Sequence, residues 1–473
     1  MSLADHPTKI LPKAVSLKNI IGPSFILLGL GLGSGEVILW PYLASNYGLG
    51  IIWGAVFGIT FQFIMNMEIE RYALARGESV FVGLARKARG LSYWFILSTF
   101  LPWMWPGIAA ASAVLFGHVF GLAPEYNKYL AIAMLVISGL ALSLGPVLYK
   151  TVERLQKALI AIGVPSIFII SVLLADRGDW LAVARGLVGL GDNFFLLPAG
   201  ISVASFLAAL AYAGAGGNLN LAQSFYIKEK GFGMGKHSGR ITGLLTGEEL
   251  DPERSLLTGS KFELTAESKR DFKNWWRVIN IEHFLVFWLT GSVTMLLLAL
   301  LAYATTFGTG HHLNDISFVV TEGQAIGRLL MPAVGTFFLI VVGLTLFGTQ
   351  LTVYDATSRI LAENVVLASN GRIKDHQIPR VYYAVLWLMI ATGVIIFLAG
   401  FTQPLQLILI AAVLNAVAMF VHTGLTLWLN KTSLPKEIGP NRKRVFAMLA
   451  AFLFYGGFSV YVLFSEIRGL FGS

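Results

Sequence analysis

Residues 22–48, GPSFILLGLGLGSGEVILWPYLASNYG, are long and apolar enough to cross a lipid bilayer, yet near their middle they carry Gly29, Gly31, Gly33, Gly35 and a carboxylate, Glu36. Roughly 20 apolar residues span the hydrocarbon core. A segment that only had to span would be filled with Leu, Ile and Val, because every peptide group in hydrocarbon must be hydrogen-bonded by protein. Around Gly33, Ser34 and Gly35 the backbone is instead free to leave the helical ladder and to offer carbonyls and amides to a solute. The stretch reads as a broken membrane helix, and such a break needs a partner elsewhere in the chain.

The remaining sequence supports that setting. Of the 473 residues, 56% are hydrophobic and 13% charged, a balance no water-soluble core of this size can hide. The expected fold class is an all-α integral membrane protein of about eleven transmembrane helices, forming a single domain over 1–473. A net charge of +9 could suggest nucleic acid, but the basic residues lie in loops between apolar spans, where positive charge sets orientation. Cysteine is absent, which excludes a disulfide framework and thiolate metal sites. The opening MSLADHPTKILPKAVSLKN has no small-residue cleavage site, so no signal peptide is expected. Basic loops fall on alternate sides, which places the N-terminus in the cytoplasm and the C-terminus outside, in the cell (inner) membrane.

The sixth span, about 194–226, is the second one broken by glycine, with YAGAGGNLN at 212–220. Five spans separate the two breaks. Glycine-interrupted segments at matching places in two halves point to a 5+5 inverted repeat with a solute site between them. The halves would be 19–176 and 193–430, with a cytoplasmic loop at 227–276 that has little core of its own and an extra helix at 444–466. The eighth span, about 331–367, turns amphipathic after Thr349 and is expected to continue past the bilayer.

Glu36 is the first candidate for chemistry, since a charge at mid-bilayer costs at least about 2.5 to 3.5 kcal/mol and persists when paired, hydrated or useful. It can bind a cation or carry a proton; the plainer reading is a protonated or salt-bridged structural residue. Asn218 holds the matching place in the sixth span, where its amide either faces the solute or caps the second half-helix. Gly31 and Gly35 also allow close helix packing with no ligand involved. Thr349 and Thr352, beside Gln350 and Asp355, can join first-span carbonyls in an oxygen cage for Na⁺, or bond back to their own helix. Gln403 and Gln406 can reach toward the site. His311 with His312 sits in a loop that fixes neither ring, and His118, His283 and His422 are single histidines in apolar spans.

At the two breaks the chain resembles the Nramp divalent-metal transporters. Residues 22–63 follow the family's first two helices, and GAGGNLNLAQSF at 214–225 follows its sixth. The family's first-helix motif Asp-Pro-Gly-Asn falls on Gly33, Ser34, Gly35 and Glu36, and its sixth-helix motif Met-Pro-His-Asn on Ala215, Gly216, Gly217 and Asn218. The resemblance implies the LeuT-type fold and a secondary-active transporter moving a metal ion by alternating access, coupled to H⁺ or Na⁺. It also implies a substrate site at Gly33, Ser34, Glu36, Ala215, Gly217 and Asn218, with Glu36 and Asn218 as the side-chain metal ligands. The family's Asp, Met and His are replaced here, so the donors left are oxygens, which suit a hard divalent cation rather than a soft one. The alternative is a transporter of the same build for a small organic solute such as an amine or amino acid. The partners implied are the solute, the bilayer and the coupling ion; no cofactor, nucleic acid or enzymatic reaction is expected, since no nucleophile has a base beside it.

Overall fold

The computed structural model describes residues 5–15, 23–144, 148–239, 255–308 and 315–471. Among them, ten helices are long and apolar enough to cross a membrane: Pro23–Tyr47, Leu49–Arg76, Leu91–Val119, Pro124–Leu144, Val152–Leu174, Ala266–Thr306, Pro332–Ala368, Asp375–Leu398, Pro404–Ser433 and Arg442–Val462. The sixth span comes in two short halves, Val203–Ala211 and Gln223–Lys230, neither of which crosses by itself. Counting that broken span gives eleven passes, as the sequence predicts, and the molecule is an all-helical integral membrane protein.

Proline and capping residues shape these helices. The third span bends between Leu91–Trp103 and Gly107–Val119, where Pro106 supplies no amide donor. The Ala109 amide, freed at the start of the second piece, donates to Gln350 Oε1 at 3.2 Å. The seventh span begins at Ala266, inside the stretch that reads as loop, because Thr265 and Ser268 form a reciprocal capping box there.

The eighth span runs as one 37-residue helix, Pro332–Ala368, longer than the hydrocarbon core needs, and its polar half is covered by protein rather than solvent. Every residue from 348 to 364 is buried, and the charges that make this half amphipathic are paired. Asp355 Oδ1 accepts from Arg359 Nε at 2.8 Å and from the Tyr382 hydroxyl at 3.0 Å, while Arg359 also meets Glu229. Glu363 accepts from the Ser79 hydroxyl and lies 3.8 Å from Lys228 Nζ. Buried ions persist only with such partners, so the polar pattern marks a networked interior rather than a wet face.

The described parts of the long loop are docked onto the bundle, with Leu256 and Leu257 buried. The N-terminal segment straps across them. Lys9 N–H donates to Lys261 O at 2.8 Å and Lys261 N–H to Pro7 O at 2.9 Å, and Trp275 Nε1 donates to Pro12 O at 2.7 Å. His6 Nε2 closes the strap on Glu78 Oε1 at 3.0 Å, and Arg86 holds the other carboxylate oxygen at 3.1 Å. Burial alone would raise the Glu78 carboxyl, but His6 and Arg86 outweigh it and hold the group below the usual carboxylate range. The Glu78 contribution is therefore present above the ordinary Glu range and is lost as pH falls through the lower folded value. Because the chain has no cysteine, Thr8→Cys gives a unique spin-label position. The label should be immobile at neutral pH, become mobile only below the ordinary carboxylate range, and be mobile at neutral pH when Glu78→Gln is added.

Candidate functional site

The first span is interrupted where the glycines stand, in a form the sequence does not reveal. Helix Pro23–Gly31 gives way to a π-helical segment, Leu32–Leu39, and then to helix Trp40–Tyr47. The ladder is widened rather than unwound. Such π segments inside α-helices are frequent at functional sites. A Cβ at Gly31 would lie 2.9 Å from the Gly214 carbonyl; one at Gly35 would overlap the Tyr212 carbonyl, and one at Gly33 the Thr349 side chain. Glycine is required at all three because the sixth and eighth spans press against them.

The sixth span is broken outright. After Ala211 the chain leaves the helix, passes Gly216 at φ 75° and Gly217 at φ 53°, and re-enters through a 3₁₀ segment, Gly217–Ala222. Those left-handed angles favour glycine. The peptide groups released by the break are met by Gln62 of the second span, whose Oε1 accepts from Gly216 N–H at 3.2 Å while its Nε2 donates to Ala211 O at 3.0 Å. Asn415 of the tenth span lies against Gly217, and its Nδ2 donates to the Tyr212 hydroxyl at 3.0 Å. The Tyr212 ring stacks on Trp103, with centroids 5.5 Å apart.

Asn218, Ala215 and Glu36 each have a definite place. Asn218 does not cap the second half-helix: its Nδ2 donates to Ser98 Oγ at 2.8 Å and Thr99 Oγ1 at 3.0 Å, and its Oδ1 lies 3.3 Å from His422 Nδ1. Ala215 is fully buried beside it in the break. Glu36 is fully buried, and neither of its carboxylate oxygens has a hydrogen-bond partner among the described residues. Its Oε1 would be 3.2 Å from a Cβ at Gly291 of the seventh span, where Ile59 and Leu28 also converge. Glu36 and Asn218 share no hydrogen-bond partner among the described residues. The Ser34 side chain and the pair His311 and His312 lie outside the described residues.

Thr349 Oγ1 donates across to Gly29 O of the first span at 2.7 Å, so the eighth span does reach a first-span carbonyl. Thr352 Oγ1 bonds back to Gly348 O at 2.8 Å and also accepts from Gln156 Nε2. Together these place two hydroxyls and two carbonyls between the first, fifth and eighth spans. Gln403 and Gln406 are exposed and do not reach the break; Gln403 lines a cavity of about 650 Å³ with Glu125, Lys128 and Asp315. Among the described residues, no group of three or more His, Asp or Glu is placed to hold a metal ion. The residues that sequence reasoning missed are Gln62, Gln156, Asn415, Ser98 and Thr99. For Gln62 and Asn415 the available signal was a single amide inside an apolar run, FGITFQFIM and AAVLNAVAM.

No family model matches the sequence, and no curated protein matches it. Solved structures match the fold over nearly the whole chain. A mutant of the Eremococcus coleocola manganese transporter superposes with a TM-score of 0.70 at 14% identity, covering 99% of this chain and 91% of that one. MHP1, a nucleobase-cation-symport-1 family transporter in a closed conformation with bromovinylhydantoin bound, gives 0.53 at 12% identity, covering 97% and 95%. MhsT in complex with L-phenylalanine gives 0.50 at 14% identity, covering 93% and 98%. The chain therefore has the LeuT-type fold.

The close seat of the first span on the sixth can be probed directly. Gly35→Ala places a methyl on the Tyr212 carbonyl and should abolish a monodisperse, folded protein, whereas Gly90→Ala, whose Cβ meets nothing within 4 Å, should elute and melt like wild type. Gln62→Leu leaves the Gly216 amide and Ala211 carbonyl unpaired and should lower unfolding free energy by about 1 to 3 kcal/mol, measured by denaturation in detergent.

Proposed function

We propose that this chain is a secondary-active transporter that moves a metal ion, a hard divalent cation, by alternating access about the first and sixth spans. The observation that carries the reading is the backbone-to-backbone seat of Gly31 and Gly35 on Gly214 and Tyr212: two interrupted segments in direct contact, with carbonyls at the junction. Separation of that contact toward one face and then the other opens a path without a continuous pore. In this reading the repeats are 19–176 and 193–430, the protein lies in the cell membrane, the N-terminus is cytoplasmic and the C-terminus outside. The proposal assigns the chain no chemical reaction.

The substrate reading draws on the donors at hand. Carbonyl oxygens at the break, Glu36 and retained water offer hard ligands, and Ala215 supplies no thioether for a soft metal. The similar Eremococcus coleocola protein is a manganese transporter. Coupling by Na⁺ would use the Gly29 carbonyl and Thr349, with Thr352 next along the helix; coupling by H⁺ would use Glu36.

A second reading is favoured by a separate observation. The side chains about Gly217 and Asn218, namely Asn415 at the first and Ser98, Thr99 and His422 at the second, are an amide, hydroxyls and an imidazole, a set suited to hydrogen-bonding a small organic solute. MHP1 and MhsT are solved with such solutes bound. Calorimetry with Mg²⁺, Mn²⁺ and a panel of amines and amino acids separates the two. The metal reading expects binding heats for a divalent ion that weaken at least tenfold in Glu36→Gln. Heats from an organic solute with none from any divalent ion would replace it with the second reading.

A further inference from the structure

Away from the break, toward the end of the bundle that carries Arg71, Arg76 and Arg86, four spans meet in a cluster the transport reading does not use. Gln223 Nε2 donates to Glu70 Oε1 at 2.6 Å, and the same oxygen lies 3.3 Å from His283 Nδ1. Ser24 Oγ is 2.8 Å from that Nδ1 and donates to Glu282 Oε2, while Ser24 N–H donates to Glu282 Oε1 at 3.3 Å. Ser24, Glu70, Gln223 and His283 are fully buried, and Glu282 is 5% exposed. The imidazole is clamped between the faces of Phe63 and Phe287, with centroids 5.4 and 4.7 Å away. His283 Nε2, Glu70 Oε2 and Gln223 Oε1 have no partner among the described residues.

Proton bookkeeping defines what this cluster does. Ser24 has one hydroxyl hydrogen. When it goes to Glu282, His283 Nδ1 must itself carry a proton, or two lone pairs face each other at 2.8 Å. When it goes to Nδ1, the proton must sit on Glu282 and point back at Ser24. With Nε2 protonated throughout, one proton has two seats with no heavy atom moved: on Nδ1 it makes an imidazolium beside an ionised Glu282, and its relay through the Ser24 hydroxyl leaves a neutral imidazole beside a protonated Glu282. Two carboxylates about one imidazole in a low-dielectric interior hold such a proton jointly, and the aromatic faces on either side accommodate the imidazolium form.

The surrounding charges are few. On the second span, Glu68 and Arg71 are paired at 2.9 Å. From the eleventh, Arg444 acts on both Glu70 and His283 while bonded to Asn280 Oδ1 at 2.9 Å. The first and sixth spans contribute the neutral Ser24 and Gln223.

Position gives the cluster its meaning. Ser24 belongs to the first half of the first span, and Gln223 opens the second half of the sixth. A π-helical segment, Phe284–Leu289, follows His283 directly in the seventh span. We infer that Glu70, Glu282 and His283 form a proton-binding centre, separate from the solute seat, that ties the two moving half-helices to the second and seventh spans. The inference rests on the alternating-access reading for its role, though not for its existence. A proton gained or lost there is felt by both half-helices at once, because Ser24 and Gln223 make the bonds that it alters.

The test uses the purified full-length protein in nanodiscs, with no solute added. Infrared difference spectra between about pH 5 and 8, the range in which imidazole-linked groups titrate, should show a protonated-carboxyl band. That band should be lost in Glu70→Gln or Glu282→Gln, kept in Glu36→Gln, and shifted in midpoint in His283→Gln. On the unmodified protein, an apolar carbodiimide should label Glu70 or Glu282 at low pH and progressively less as pH rises, read by peptide mass spectrometry; this arm needs no variant to fold. An unchanged band in both Gln variants, or labelling that does not depend on pH, overturns the centre. Protection of both carboxylates by Mn²⁺ or Mg²⁺ overturns it in favour of a metal site. Because neither arm involves transport, failure here leaves the transporter reading standing, and calorimetry without any bound solute leaves this centre standing.

Discussion

A peptide group released from a helix inside hydrocarbon must find its hydrogen bond in protein, and this requirement governs the centre of the molecule. The break in the sixth span frees the Ala211 carbonyl and the Gly216 amide, and the Gln62 side chain answers both. Once that break is held, the carbonyls of Tyr212 and Gly214 face the first span, and only glycine at positions 31 and 35 leaves room for them. The first span in turn widens to a π-helix, and its Gly29 carbonyl accepts from Thr349. Each feature of the junction is a consequence of satisfying the one before it.

Charges in the structure follow a second rule, that a buried ion needs a partner. Toward the basic end the rule is met by interlocking pairs: Asp355 and Glu229 on Arg359, Lys228 beside Glu363, Glu68 on Arg71. Glu36 departs from it. Both of its oxygens lack a partner among the described residues, and it lies among Gly291, Ile59 and Leu28. Under the proposed function, this buried carboxylate without a bond in hand is the group that would accept a proton or a cation.

Much of this was legible in the sequence, for reasons that can be named. Apolar run lengths report the hydrocarbon thickness, so the eleven passes follow from counting. Glycine in a span is costly without a purpose, so YAGAGGNLN marked the broken sixth span and the run to Gly35 marked the first. What stayed hidden depends on which helix faces which. A π-helix and an unwound turn draw on the same residues, so the form of the first interruption could not be read. Gln62 and Asn415 look alike in sequence, yet one satisfies the broken backbone and the other holds a tyrosine hydroxyl. The polar half of the eighth span read only as amphipathic, because alternating charge looks the same whether its partners are water or neighbouring helices. Glu36 and Asn218 each stand beside a break, but the side of the helix on which each lies is set by the π segment and the 3₁₀ turn, which no spacing rule supplies.

The central claim is that the junction of the two interrupted spans opens to one face of the membrane at a time. It is tested most directly by placing a single cysteine at Ala215, fully buried within the break, in a chain that has no other, and labelling it in proteoliposomes with a membrane-impermeant thiol reagent applied to either side. Alternating access predicts that conditions which raise labelling from one face lower it from the other. Equal and simultaneous labelling from both faces, or no labelling under any condition of solute, ion or pH, would contradict it.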